Sequence, residues 1–410
     1  MIGKKGYAAL LMLLFGGIFL MSCDNGDSED VVDQIDQSNT SGEADETADD
    51  AVAVDGDVTA IFGTNLSLDD PLNYENQGFP SYINEDNTDG NDISNEVATL
   101  GRVLFYDKNL SLDNTIACAS CHQQSLAFGD DAQVSTGVAG VTGRHSMRLI
   151  NARFAEEERF FWDERASTLE EQTTMPIQDH IEMGFSGQEG DPDINDLILK
   201  LEELEYMGEL FTYAFGDATI TEERMQLALA QFVRSIQSFD SRFDDGLAMV
   251  GDDDEDFPNF EQIENLGKAL FLGRAGCNRC HQSPEFDIND NSENNGVISV
   301  FGDPDAVDTD VTRAPTLRDI FDASGNLNGP LMHDGSFASM EEVVAHYNDI
   351  EIDPDNDNLD RRLAGGRGGN EDGQDLNLSD QEISALVAFI KTLSGTNVYT
   401  DERWSDPFVQ

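Results

Sequence analysis

The sequence predicts a mostly α-helical protein in which one unit is used twice. Three observations support this. The run Leu100-Gly101-Arg102-Val103-Leu104-Phe105 returns as Leu266-Gly267-Lys268-Ala269-Leu270-Phe271. Each copy has apolar residues at helical spacing and is followed by a loop and a C-x-x-C-H run. Helix caps recur along the chain, and no long alternating strand pattern competes with them.

The two C-x-x-C-H runs are Cys118-Ala119-Ser120-Cys121-His122 and Cys277-Asn278-Arg279-Cys280-His281. This pattern is the attachment signal of a c-type haem. Two thiols add to the haem vinyl groups, and the adjacent His supplies an imidazole to the iron. Every cysteine after Cys23 belongs to one of the two runs. Two C-x-x-C disulfides or a four-thiolate zinc site would use the same thiols, but neither needs a His after each pair. The expectation is two covalent c-type haems, each in its own cytochrome c-like domain.

Taken in order, the chain opens with an export signal. Lys4 and Lys5 precede an apolar stretch from Tyr7 to Met21, which is short for a membrane span. Leu20-Met21-Ser22-Cys23 resembles a bacterial lipobox, so residues 1–23 read as a lipoprotein signal with Cys23 the lipidated residue. Residues 24–57 are acidic, with no Lys, Arg or aromatic side chain, and read as a disordered tether. Haem attachment outside the cytoplasm agrees with export. The expected location is the periplasm or cell surface, anchored by lipid to a bacterial membrane.

Folded sequence is expected from Val58. The first haem domain covers 58–250 and the second 257–400, with the boundary in the acidic run from Gly251 to Asp256. Thr221 caps a helix expected to reach about Phe239, and Ser379 with Glu382 forms a capping box for the last helix. Ser339 and Glu342 form another; after it Met340, Val343, Val344 and Tyr347 share one helix face, with His346 turned about 100° away. The formal charge of −59, from 82 acidic and 23 basic residues, excludes the basic footprint of a nucleic-acid binder. It permits attraction to basic partners.

Residues 58–400 resemble the bacterial dihaem cytochrome c peroxidase family, which includes the MauG-type enzymes. The resemblance rests on 100–107, both haem motifs, Phe161-Trp162-Asp163, Leu169-Glu170-Glu171-Gln172, Pro176-Ile177 with Glu182-Met183, Ala314-Pro315-Thr316-Leu317-Arg318 and Met332-His333-Asp334-Gly335-Ser336. It implies haems facing the domain interface, a peroxidatic haem on His122 and an electron-transfer haem on His281. It implies that Trp162 lies between the haems and that Gln172 and Glu182 face the first iron. Peroxide cleavage needs a base that takes a proton and returns it to the leaving oxygen. A carboxylate raised by a partly apolar pocket, such as Glu182 between Ile181 and Met183, suits that task.

The chain departs from the family pattern at three places. Members that need reductive activation carry a His about sixteen residues after the first haem His; here Val138 stands there, and valine cannot ligate iron. His145 is the only nearby substitute; it reads as a structural His, with distal ligation of the iron as the alternative. His145 also replaces an Asn of the family's inter-haem calcium site. Asn328 and Pro330 match its main-chain ligands, and the change to His weakens the case for calcium, which prefers oxygen. Tyr347 stands where family peroxidases place Met and MauG-type enzymes Tyr; a phenolate is a hard donor that favours higher oxidation states. Met332 and Met340 are the alternative ligands to the second iron. His333 matches a residue near the second haem, and His180 reads as structural.

The leading functional expectation is an exported dihaem peroxidase that reduces hydrogen peroxide with electrons from a small redox protein. A MauG-like oxidation of Tyr or Trp side chains on a partner protein is the second. A dihaem electron-transfer cytochrome without catalysis is the third.

Overall fold

The computed structural model describes residues 58–156, 159–188, 190–365 and 373–409. The export signal, Cys23 and the acidic tether lie outside these residues. Among the described residues no helix is long and apolar enough to cross a membrane.

The repeated Leu-Gly-x-x-Leu-Phe run builds the same helix crossing twice. Helix Asn95–Tyr106 packs on helix Glu222–Ser235, and helix Gln262–Leu272 packs on helix Asp380–Lys391. The glycine of each run sits at the crossing. A Cβ on Gly101 would collide with the carbonyl of Ala228, and one on Gly267 with that of Ala385. Only a residue without a side chain lets the backbones approach this closely.

The phenylalanine that ends each run starts a three-ring cluster. Phe105 lies 5.9 Å from Phe128 and 5.1 Å from Phe232; Phe271 lies 5.7 Å from Phe286 and 5.2 Å from Phe389. All six rings are buried. Burying each is worth about 1.5–3 kcal/mol, and the tilted and edge-on contacts add to that. Phe128 and Phe286 both take the left-handed conformation, with φ of 59° and 57°. They belong to two separate buried clusters, one per repeat.

The chain crosses between clusters more than once. Helix Arg242–Val250 precedes the acidic 251–256 run, yet Phe243 and Leu247 are buried in the second cluster. The C-terminal stretch returns to the first, where Val398 and Trp404 are buried. Arg102 fastens it by donating from Nε to the Ser405 carbonyl at 2.6 Å, and the Tyr74 hydroxyl donates to the Arg403 carbonyl at 2.7 Å. A buried pair, Arg318 with Asp244 at 2.9 Å, joins a loop to helix Arg242–Val250, and the Tyr82 hydroxyl donates to the same carboxylate at 2.7 Å.

The three expected caps are formed. The Thr221 hydroxyl accepts from the Arg224 N–H, Ser339 is reciprocally bonded with Glu342, and Ser379 with Glu382. The Thr221 helix stops at Ser235, short of the expected Phe239. The reason is competition for the backbone: the Asn151 side chain accepts from the Ser238 N–H and donates to the Ser238 carbonyl, while the Asn151 N–H donates to the Ile236 carbonyl. Among the described residues, one two-stranded sheet pairs Ser299–Val300 with Asp303–Val307, antiparallel.

Candidate haem sites

Cys118–Cys121 forms a single helical turn, so its two thiols fall three residues apart on one side. The His122 N–H donates to the Cys118 carbonyl, and the His281 N–H likewise to that of Cys277. The Nδ1 of His122 faces the Phe128 carbonyl at 3.2 Å, and the Nδ1 of His281 faces the Pro315 carbonyl at 3.0 Å. A carbonyl at Nδ1 fixes the proton there and leaves Nε2 as the ligand nitrogen. Burial lowers the pKa of both rings, that of His281 to about 4, so both are neutral as metal binding requires.

All four thiols are free. Burial pushes Cys118 and Cys277 up to about 12 and Cys121 to about 11. Each pair opens into a different cavity, so the four thiols do not form one zinc site. Unpaired thiols, a neutral imidazole and an adjoining cavity are what a covalent macrocycle needs, and each repeat supplies all three.

The first cavity, about 420 Å³, is lined by Cys118, Cys121, His122, Gln172, Glu182 and Trp162, among others. Helix Leu169–Thr174 presents Gln172; the Thr168 hydroxyl accepting from the Glu171 N–H starts it. The turn carrying Glu182 is fixed from two sides. The Glu182 N–H donates to Asp179 at 3.0 Å, and its carbonyl accepts from the Val138 N–H at 3.0 Å. Gly137 allows this approach, since a Cβ there would strike the Ile181 carbonyl. Burial raises the Glu182 carboxyl to about 7, Asp179 adds to the rise and Arg165 opposes it. Val138 meets Glu182 through its backbone, and its Cγ2 lies beside Gly184.

Trp162 lines both cavities. Its indole N–H donates to the His145 carbonyl at 2.7 Å, its own carbonyl accepts from the Arg313 N–H at 2.7 Å, and its ring lies 6.3 Å from that of His333. His145 lines both cavities too; its Nδ1 meets the Ala132 carbonyl at 3.0 Å and its N–H donates to the His333 carbonyl.

The second cavity, about 160 Å³, is lined by Cys277, Cys280, His281, Met340, Tyr347 and Met332, among others. The expected helix face is the one presented, because Val343 and Val344 line the cavity as well. Burial drives the Tyr347 phenol well above its ordinary pKa, with Cys280 the next cause. Asn295 bonds Tyr347, and its amide approaches the Met332 sulfur at 3.7 Å. His346 points elsewhere, to the Asn295 carbonyl at 3.0 Å.

The Asn328 amide donates to the Asp319 carbonyl and the Tyr399 hydroxyl, both at 2.7 Å, while Pro330 lines the second cavity. His145 holds a nitrogen ring where an oxygen donor is expected. Buried His333 lies 3.5 Å from Asp308, and His180 is an exposed surface residue bonded to Asp191 at 2.7 Å.

Residues 95–253 match the family described as di-haem cytochrome c peroxidase. The methylamine utilization protein MauG of Methylophilus methylotrophus is 32% identical over 315 residues, covering 74% of this chain and 84% of that protein. The chain belongs to the dihaem cytochrome c peroxidase/MauG family. Membership implies two c-type haems and oxidoreductase chemistry. The cytochrome c551 peroxidase of Nitrosomonas europaea is 29% identical over 312 residues, 73% of this chain and 80% of that one. Among solved structures, a MauG-like protein associated with microbial copper homeostasis matches with a TM-score of 0.64 and 30% identity, covering 81% of this chain and 99% of that one. The diheme peroxidase BthA from Burkholderia thailandensis matches with a TM-score of 0.58 and 20% identity, over 80% and 89%; that likeness concerns the fold alone.

Sequence reasoning missed three residues of the wall between the cavities. Arg313 and Asp287 form a buried pair at 2.9 Å, and Arg148 lines both cavities. Arg313 falls opposite His145 when Met147 is set against Pro315, so no arginine recurs there and the repeat gave no signal for it. Asn295 carries no signal either.

Proposed function

We propose that the protein is an exported dihaem peroxidase that reduces hydrogen peroxide to two waters, consuming two protons and two electrons from a small redox protein. The observation that carries this reading is Glu182, a carboxyl raised to about 7 inside the cavity of the first haem motif. When bound, the two haems would supply the redox chemistry, the first held by Cys118, Cys121 and His122 and the second by Cys277, Cys280 and His281. Glu182 takes the proton from the near oxygen of peroxide and delivers it to the far one; a pKa near the working pH suits both halves of that transfer. Gln172 orients the peroxide beside it. Trp162, in the wall of both cavities, bridges them for electrons. Export rests on the basic and apolar N-terminus, and the lipid anchor on Cys23.

A MauG-like reading, in which Tyr or Trp side chains of a partner protein are oxidised, has its own support. Tyr347 lies in the second cavity, and Val138 leaves no side-chain ligand where reductively activated peroxidases have one. The deciding experiment adds peroxide to the fully ferric holoprotein and follows the spectrum. A fast reaction giving a long-lived state shared by both haems favours the MauG-like reading. A reaction that regenerates the ferric spectrum as donor is consumed supports the peroxidase. No reaction until one electron is supplied points to reductive activation.

A further inference from the structure

Four arginines line the first cavity: Arg144, Arg148, Arg165 and Arg313. Three of them face carboxylates. Arg144 pairs with Asp308 at 2.7 Å, Arg165 with Asp163 at 2.8 Å and Arg313 with Asp287 at 2.9 Å. Arg148 has no such pair among the described residues, and its Nε is buried without a hydrogen-bond partner. A buried cation left unpaired is costly. It is more telling in a chain with 82 acidic residues, where an internal partner would be easy to supply.

Comparing the repeats shows how the space for Arg148 arises. Met147 and Pro315 play one part, since each offers its backbone to the ring of the haem-motif histidine, beside Phe128 in one repeat and Phe286 in the other. The next residues are therefore counterparts: Arg148 in the first repeat, Thr316 in the second. Thr316 is satisfied locally, donating to the Glu285 carbonyl at 2.8 Å. Gly129 and Asp287 are counterparts as well, because Gln123 bridges to one as Gln282 does to the other. A Cβ on Gly129 would lie 3.1 Å from Arg148 Cγ and 3.6 Å from its Nη1. The first repeat thus replaces an acid and a threonine with a glycine and an arginine. In the second repeat Asp287 answers Arg313; in the first, the cation has room and no paired carboxylate among the described residues, Asp319 and Tyr399 acting on it only through space.

We propose that Arg148 is the binding residue for a carboxylate of the macrocycle carried by Cys118, Cys121 and His122. The two propionates are the anionic groups a c-type haem brings, and a guanidinium matches a carboxylate in shape and charge. The pair stays inside the wall between the cavities, where water screens it little. Its cation offsets the propionate charge that otherwise stabilises the ferric iron, so it raises the potential of the first haem. This deepens the family-level reading of two bound haems and is independent of the choice between peroxidase and MauG-like activity.

The test is a redox titration of the mature dihaem protein and its Arg148→Gln and Arg148→Lys variants, with haem content measured on the same samples. With two haems bound, Arg148→Gln lowers the ratio of reduced to oxidised first haem at fixed potential at least tenfold, about 59 mV for a one-electron couple. Arg148→Lys recovers most of that, and the second haem shifts less. Loss of the first haem from the Gln variant but not the Lys variant also supports the assignment. An unchanged first-haem potential in Arg148→Gln, or equal shifts of both haems, overturns it. Should the Gln variant fail to fold, Arg148→Thr, which copies the second repeat, takes its place in the same titration.

Discussion

The two repeats agree on one side of the haem sites and disagree on the other. Gly101 and Gly267 set the same helix crossing, the same three-ring cluster follows, and a backbone carbonyl holds Nδ1 of each histidine. Beyond this shared frame the first cavity receives Gln172 and a raised Glu182, the second Tyr347 on an apolar helix face. The distal residues come from segments outside the repeated run: helix Leu169–Thr174 and the Glu182 turn in one case, helix Met340–Asn348 in the other. Duplication therefore fixed how a macrocycle is held, and the unrepeated segments decide what it does.

The largest effect expected from breaking the comparison is removal of one site. Cys118→Ala with Cys121→Ala should leave one covalent haem by mass spectrometry and abolish the reaction with peroxide. The matching change at Cys277 and Cys280 should also leave one haem but block steady turnover with a donor, while peroxide still reacts at the first site. Peroxide consumption that survives loss of the first haem but not the second would invert the assignment of the two cavities.

Within the first cavity, Glu182→Gln keeps the size and removes the proton acceptor. The bimolecular rate with peroxide should fall about 10²- to 10⁴-fold with intact haem spectra. The pH profile gives a second check. A base works when deprotonated, so with burial raising Glu182 to about 7 the wild-type rate should climb with pH through that region and level off above it. The Gln variant should lose that limb. An unchanged rate in stopped-flow measurements would remove Glu182 from the mechanism.

The shared frame itself makes a symmetrical prediction. Gly101→Ala and Gly267→Ala each force a methyl group into a backbone carbonyl across a helix crossing. Overpacking of this kind costs about 1–3 kcal/mol. Both variants should lower the thermal midpoint by similar amounts. A large loss at one glycine and none at the other would show that the two crossings do not share their packing.

The proximal frame was legible in the sequence because its signals are local. A C-x-x-C-H run, a glycine in a helical pattern and a capping box each act within a few residues. The face carrying Tyr347 was legible for the same reason, since helical spacing fixes it once Ser339 starts the helix. The wall between the cavities was legible only in part. The resemblance named Trp162 and His145, but Arg148 and Arg313 went unnoticed, because bonds such as Arg313 N–H to the Trp162 carbonyl join distant parts of the chain. The end of the Thr221 helix was misjudged on similar grounds, because the competitor for its backbone is Asn151, far away in sequence. The return of Val398 and Trp404 to the first cluster is likewise a contact that no local pattern announces.

The smallest change expected leaves both haems and the fold in place and alters one ligand. Tyr347 reaches the second cavity from a helix face shared with Met340, Val343 and Val344. Its burial holds the phenol protonated in the absence of a metal, so ligation as phenolate would draw its driving force from the iron. Met332 lies in the same cavity, its sulfur held near the Asn295 amide that also bonds Tyr347, and is the rival ligand. If Tyr347 is the ligand, Tyr347→Met replaces a hard anionic donor with a neutral thioether, and the potential of the second haem should rise because the softer ligand favours Fe(II). The peroxide rate at the first cavity should stay the same, and the oxidised state left by peroxide should become shorter-lived. A redox titration and a lifetime measurement decide it. If both are unchanged, Tyr347 only packs the cavity, Met332 becomes the ligand candidate, and the difference between the two sites rests on Glu182 and Gln172 alone.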